Sequence, residues 1–123
     1  MTFKRKRFGR EGEEAAAAFL RKQGYRILET NFRTALGEVD LIAEHAGAVV
    51  FIEVKSRSGE AFGQPVDALT PFKQNKIHQV ARVFLARHAI QNREVRFDVV
   101  SVAGEPGRPE GWRVEVLKNA FQL

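Results

Sequence analysis

The chain has no cysteine, which excludes disulfides, thiolate metal sites and cysteine nucleophiles, and leaves structural zinc without its commonest ligand. No apolar run approaches the roughly 20 residues of a membrane span. The opening MTFKRKRFGR also lacks the hydrophobic segment that follows the positive charges of a secretory signal. A cytoplasmic protein without membrane contact is therefore expected. Proline is scarce, with four in 123 residues, and no Gly-, Ser- or Pro-rich linker divides the chain. That length suits one domain with a real core but not two. Residues 9–123 are expected to form it, behind a basic and mobile tail of residues 1–8 that includes the run Lys4 to Arg7.

Basic residues outnumber acidic ones, 20 Lys and Arg against 15 Asp and Glu, for a net charge of +5. A basic surface around a small acidic pocket suits a polyanion that brings a reactive phosphate to a metal. A plain soluble basic protein has the same composition.

The acidic pocket is sought in GEVDLIAEHAGAVVFIEVK, Gly37 to Lys55, which reads as two buried strands joined by a tight turn. Side chains alternate across a strand, so Glu38, Asp40 and Ile42 share one side, as do Val49, Phe51, Glu53 and Lys55. Val50, Ile52 and Val54 form a face for the core. A turn at Ala46-Gly47, with His45 opposite Ala48, sets Asp40 opposite Glu53 and Glu38 opposite Lys55. Directly opposed Cβ atoms lie about 4.5–5.5 Å apart. Two carboxylates at that distance repel unless a cation separates them, and oxygen ligands suit Mg²⁺ or Mn²⁺. A neighbouring lysine can position the attacking water or stabilise charge on a phosphate. The same alternation also fits a surface ion pair of Lys55 with Glu53 or Glu38.

Before this hairpin, the alanine-rich stretch Arg10 to Gln23 predicts an amphipathic helix stopped by Gly24. Of its three glutamates, Glu13 lies nearest the apolar stripe, about 70° from its centre at 100° per residue, while Glu11 and Glu14 point to solvent. A carboxylate at the edge of a buried stripe needs a partner or a cation, which makes Glu13 a third acidic candidate. All three glutamates also fit a helix N-terminus through the macrodipole alone. Tyr25 to Thr30 predicts a strand, and Asn31 to Leu36 a connection carrying Arg33, a candidate for contact with a substrate phosphate, though a lone loop arginine is also commonly just a solvated charge.

After Lys55, SRSGEAFGQP predicts a loop beside the site, with Arg57 and Gln64 as binding candidates. Thr70-Pro71 opens a second helix, with Ile77, Val80, Ala81, Phe84 and Leu85 toward the core and a basic exposed side that includes Lys73 and Lys76. Lys73 and Gln74 sit near its N-terminus, where backbone N–H groups favour phosphate. His78 and His88 read as ordinary surface or boundary residues. VRFDVVSV, Val95 to Val102, predicts another strand, whose Asp98 either adds to the acidic site or, the better fit to its apolar run, makes a buried pairing with an arginine. GEPGRPEG is a turn-rich loop before a last strand, Trp112 to Leu117. Helix, three strands, helix and two strands imply an α/β sandwich around a central mixed sheet.

Asp40 followed by Glu53-Val54-Lys55 after a hydrophobic run resembles the PD-(D/E)xK signature of the restriction-endonuclease-like nucleases, with Val39 where that motif often has Pro. The segments GREGEEAAAAFL, GYRILETNFRTALGEVDLIA, VVFIEVKSR and FDVVSV resemble the UPF0102 (YraN-like) family of small bacterial proteins, related in fold to archaeal Holliday junction resolvases. The resemblance runs from about Gly9 to Phe121. It implies a restriction-endonuclease-like sandwich and a metal-dependent nuclease acting on DNA, branched DNA included. Asp40, Glu53 and Glu13 would be ligands for Mg²⁺ or Mn²⁺, and Lys55 the catalytic lysine. It also implies binding roles for Lys73 and Gln74 in the helix after the (D/E)xK strand. Symmetric cutting of a junction would require a homodimer. A nucleic-acid-binding module that keeps the fold without catalysis is the alternative.

Overall fold

In a computed structural model of the chain, residues 3–58, 69–105 and 107–121 are described, without the side chains of 3–8, 58 and 109. The elements run α1 (Phe3–Lys22), β1 (Arg26–Thr34), β2 (Gly37–His45), β3 (Ala48–Ser58), α2 (Pro71–Arg87), β4 (Val95–Gly104) and β5 (Arg113–Leu117), with a 3-10 turn at Pro109–Gly111 before β5. The strands form one five-stranded sheet in the order β1-β2-β3-β4-β5. β3 and β4 are parallel, and every other neighbouring pair is antiparallel. The expected α/β architecture with a mixed sheet between helices is therefore present. Its one parallel pair comes from α2, because parallel neighbours need a crossover.

The two helices cover opposite faces. Ala16, Ala17 and Leu20 of α1 pack with Val50, Ile52, Val54, Val100 and Val102. Ile77, Val80, Ala81 and Phe84 of α2 pack with Val49, Phe51, Phe97 and Val99. Strand β3 is thus buried on both faces, which explains its unbroken apolar run. Phe84 meets Phe32 and Phe51 edge-on, with ring centroids 5.2 and 5.8 Å apart, a favoured aromatic geometry that joins β1, β3 and α2.

Local signals account for the ends. Gly24 adopts φ 91° just beyond α1, and Tyr25 N–H donates to the Leu20 carbonyl at 2.9 Å, a left-handed C-terminal stop. Thr70 accepts from Lys73 N–H at 3.2 Å with Pro71 behind it, so α2 begins where expected. Ala46 and Gly47 both have positive φ, as a two-residue hairpin turn requires.

Three boundaries differ from the sequence reading. Helix α1 begins at Phe3, so Lys4 to Arg7 belong to its first turns rather than to a tail. Strand β1 continues to Thr34 and takes in Arg33, which pairs with Glu38 instead of lying in a connection. Strand β3 reaches Ser58, so Arg57 stands in the ladder opposite Ala103 rather than in a loop. Gln64 lies outside the described residues.

Asp98 is fully buried, as the pairing with arginine implied. Arg96 donates to both of its oxygens at 2.9 Å, the Tyr25 hydroxyl donates at 2.8 Å, and Asn119 N–H at 2.9 Å. The network ties the end of α1 and the chain beyond β5 to β4.

Candidate active site

The register His45 with Ala48 holds back along the hairpin to Leu41 with Ile52. It stops short of the expected pairing of Asp40 with Glu53. There the ladder changes character, because Val54 N–H donates to the Asp40 carboxylate at 2.8 Å.

The neighbouring ladder shifts register earlier, between Ile27 and Glu29, and keeps one register across this level, where the backbone of β1 is distorted. Pairs Thr30–Leu41 and Phe32–Val39 flank Asn31 and Asp40, and Asn31 has φ 52° in mid-strand. Val39 and Ile42 both enter the core under α2, while Leu41 and Ala43 enter the core under α1. Strict alternation thus fails at Asp40, and the expected shared side for Glu38, Asp40 and Ile42 does not hold. Asn tolerates left-handed backbone better than most residues, which is the sequence signal that could have revealed the break.

Helix α1 supplies Glu13 from a close approach. Gly12 is buried, and a Cβ there would run into Ser56 Oγ and stand 3.0 Å from Ser56 Cβ. Only glycine lets this turn settle onto β3. Glu13 then accepts a hydrogen bond from the Asn31 side chain and lines a cleft of about 280 Å³ with Arg10, Arg21 and Thr30.

The carboxylates share one electrostatic environment. Burial, followed by the charge of Glu53, pushes Asp40 up to about 8, and Glu13 and Glu38 act in the same direction against the Val54 N–H. Burial also raises Glu53, opposed chiefly by the Lys55 ammonium, 3.7 Å away, and by Lys73. Glu13 is raised by burial and by Glu38, with the Asn31 bond and Arg33 acting against it. Glu38 therefore belongs with Glu13, Asp40 and Glu53, although its ion-pair partner is Arg33, at 3.3 Å; Lys55 pairs with Glu53, one of the two ion pairs that alternation allowed.

The remaining candidates divide. Lys73 and Arg33 reach the cluster through their charges. Gln74 spends its amide on the Leu69 carbonyl at 3.0 Å, and the Lys76 ammonium lies 5.4 Å from the centre of the Phe72 ring. Among the described residues, no group of three or more His, Asp or Glu side chains is arranged to hold a metal ion. What fits a hard divalent cation is the pair Asp40 and Glu53: oxygen donors whose ionisation is opposed by burial and by neighbouring carboxylates, a penalty a cation would relieve.

A family described as "Uncharacterised protein family UPF0102" matches residues 12–102. A UPF0102 protein of Syntrophus aciditrophicus is 44% identical over 95% of this chain and 90% of its own. Another, from Symbiobacterium thermophilum, is 45% identical over 94% of this chain and 97% of its own. One from Clostridium botulinum is 43% identical over the whole of both. No described helix is long and apolar enough to cross a membrane.

Proposed function

The chain belongs to the UPF0102 family, and we propose that it is a metal-dependent nuclease that hydrolyses phosphodiester bonds in DNA, branched DNA included. The observation that carries this reading is the half-buried pair Asp40 and Glu53, each raised above its ordinary value, with Lys55 beside it. Burial and the neighbouring carboxylates oppose the ionisation of both groups, and a bound cation would offset that cost.

Asp40 and Glu53 would hold Mg²⁺ or Mn²⁺, with Glu13 acting through a water. Bound there, the ion supplies Lewis-acid polarisation of the phosphate and a more acidic water. Lys55, 3.7 Å from Glu53, would offer N–H donors to a phosphate oxygen as negative charge develops on it. Lys73 brings positive charge to the same carboxylate from α2, where a phosphate backbone would be drawn in. Val54 N–H fixes one oxygen of Asp40, so the carboxylate is oriented before substrate arrives.

A second reading, a binding module without catalysis, is favoured by the absence of a three-residue metal-holding group among the described residues. Incubation with single-stranded, duplex and four-way-junction DNA, with Mg²⁺ or Mn²⁺ and with EDTA, separates the two. The expected result is metal-dependent cleavage that falls by orders of magnitude in Asp40→Asn and Glu53→Gln while DNA binding survives. Variants that cut as fast as the parent would refute the site. A parent that cuts none of these substrates with either metal would leave the binding module as the function.

A further inference from the structure

Four large hydrophobic side chains are exposed among the described residues, and Phe72, at 71%, stands far above Leu28, Leu36 and Leu117 at 37–42%. Nothing in helix formation requires it, since Thr70 and Pro71 already start α2. Its position ties it to the carboxylate cluster. Lys73, the next residue, acts on Glu53. The Lys76 ammonium lies 5.4 Å from the Phe72 ring centre, and Lys76 Cβ would lie 3.9 Å from a Cβ on Gly37, the residue before Glu38. An exposed aromatic ring with the Lys76 ammonium over one face, and with Lys73 as its neighbour in sequence, therefore stands at the rim of the acidic site.

That combination matches the chemistry of a nucleic-acid strand, in which a flat base alternates with a phosphate. Aromatic side chains stack on bases of any sequence, and neighbouring lysines take the backbone charge. Within a continuous duplex the bases are stacked on one another and present only their edges in the grooves. A phenylalanine can stack only on a base that has left that arrangement.

Building on the nuclease reading, we propose that Phe72 is the stacking platform for an unpaired base of the strand that enters the acidic cluster. The preferred substrate then carries a single-stranded segment, either as a free strand or as an unpaired stretch where duplexes branch. Phe72 is on this view a specificity-determining residue rather than a catalytic one.

The test measures binding in EDTA, where no cleavage occurs, using the full chain and its Phe72→Ala and Phe72→Trp variants. The probes are fluorescent oligonucleotides of equal length: a single strand, a blunt duplex, and a duplex with a single-stranded flap. Phe72→Ala should weaken binding of the single strand, the flap or both by about tenfold to a hundredfold. Phe72→Trp should restore it, and duplex affinity should not move. Loss on the single strand and the flap alike identifies any unpaired strand as the ligand, whereas loss on the flap alone identifies the branch point. An unchanged affinity for both, or an equal loss on the blunt duplex, overturns the proposal. Because these affinities are read without metal, they stand apart from the nuclease reading, which fails instead if Asp40→Asn and Glu53→Gln leave cleavage untouched.

Discussion

Replacing Asp40 by Asn should stabilise the metal-free protein at alkaline pH. The asparagine oxygen can still accept the Val54 N–H, so the perturbation removes charge and little else. In the folded chain the carboxyl is pushed up to about 8 from an ordinary 3.8, first by burial and then by Glu53. A group raised in this way favours the folded state fully below its unfolded value, and that contribution is lost as pH rises through about 8. At about 1.4 kcal/mol per pKa unit, the shift sets an upper bound of about 5–6 kcal/mol. Relaxation, and water reaching a half-buried carboxylate, reduce the expected effect to about 2–3 kcal/mol. For a domain of this size that is about 8–12 °C in Tm. Thermal unfolding followed by circular dichroism in EDTA, between about pH 5 and pH 9, reads it directly. The parent should lose stability across that range, and Asp40→Asn should lose much less. Adding Mn²⁺ near pH 8 should recover the parent and leave the variant unmoved. Parallel curves for the two proteins would mean that Asp40 ionises normally, and the electrostatic argument for a cation site would fail with it.

Gly12→Ala should lower stability by about 1–2 kcal/mol in urea denaturation, although alanine is the better helix former by about 1 kcal/mol, and a second change of Ser56→Gly should restore it; an unaffected single variant would refute the close approach of α1 to β3. Asp98→Ala leaves half-buried Arg96 and buried Tyr25 without their carboxylate and should cost about 3–5 kcal/mol, against about 1 kcal/mol for Tyr25→Phe, which removes one hydroxyl from the network. A milder effect of Asp98→Ala than of Tyr25→Phe would show that the network is not what holds β4.

The hairpin was legible because its two strands are buried and its turn is specific. Alternation and Ala46-Gly47 together give the register from His45–Ala48 to Leu41–Ile52 without reference to any other part of the chain, and Asp40 and Glu53 act on each other just beyond it. Strand β1 was less so. Only Phe32 of RILETNFRT is buried, and Asn31 carries the sign of a turn, so a strand that continues to Thr34 reads as one that stops at Thr30. The early start of α1 was hidden for a related reason. Lys and Arg are good helix formers, but a basic run with little apolar content gives no period to detect. Phe72 lies nearly opposite the stripe of Ile77, Val80, Ala81, Phe84 and Leu85 at 100° per residue, so its exposure was within reach of the helical period but drew no notice as a single side chain.

The cluster forms where regular structure gives way, and that explains how carboxylates from both layers come to act on one another. In an undisturbed sheet Asp40 would share a face with Ile42, under α2, and the sheet would screen it from α1. Instead Asn31 turns left-handed, Val39 crosses to the α2 side, and the Asp40 carboxylate accepts the N–H of Val54. Glu13 on α1 and Glu53 on the Phe51 side of β3 then both act on Asp40, while Lys73 of α2 acts on Glu53. Each departure carries a cost: a left-handed non-glycine residue, a ladder interrupted by a side chain, and a glycine inside a helix. Packing for stability alone would avoid all three: a regular ladder and an apolar residue at position 40 would each be cheaper, and a helix held farther from Ser56 would not need Gly12. Their coincidence at Asp40 is the physical ground for regarding this end of β2 and β3 as a site for charged ligands rather than as the solvent face of a sheet.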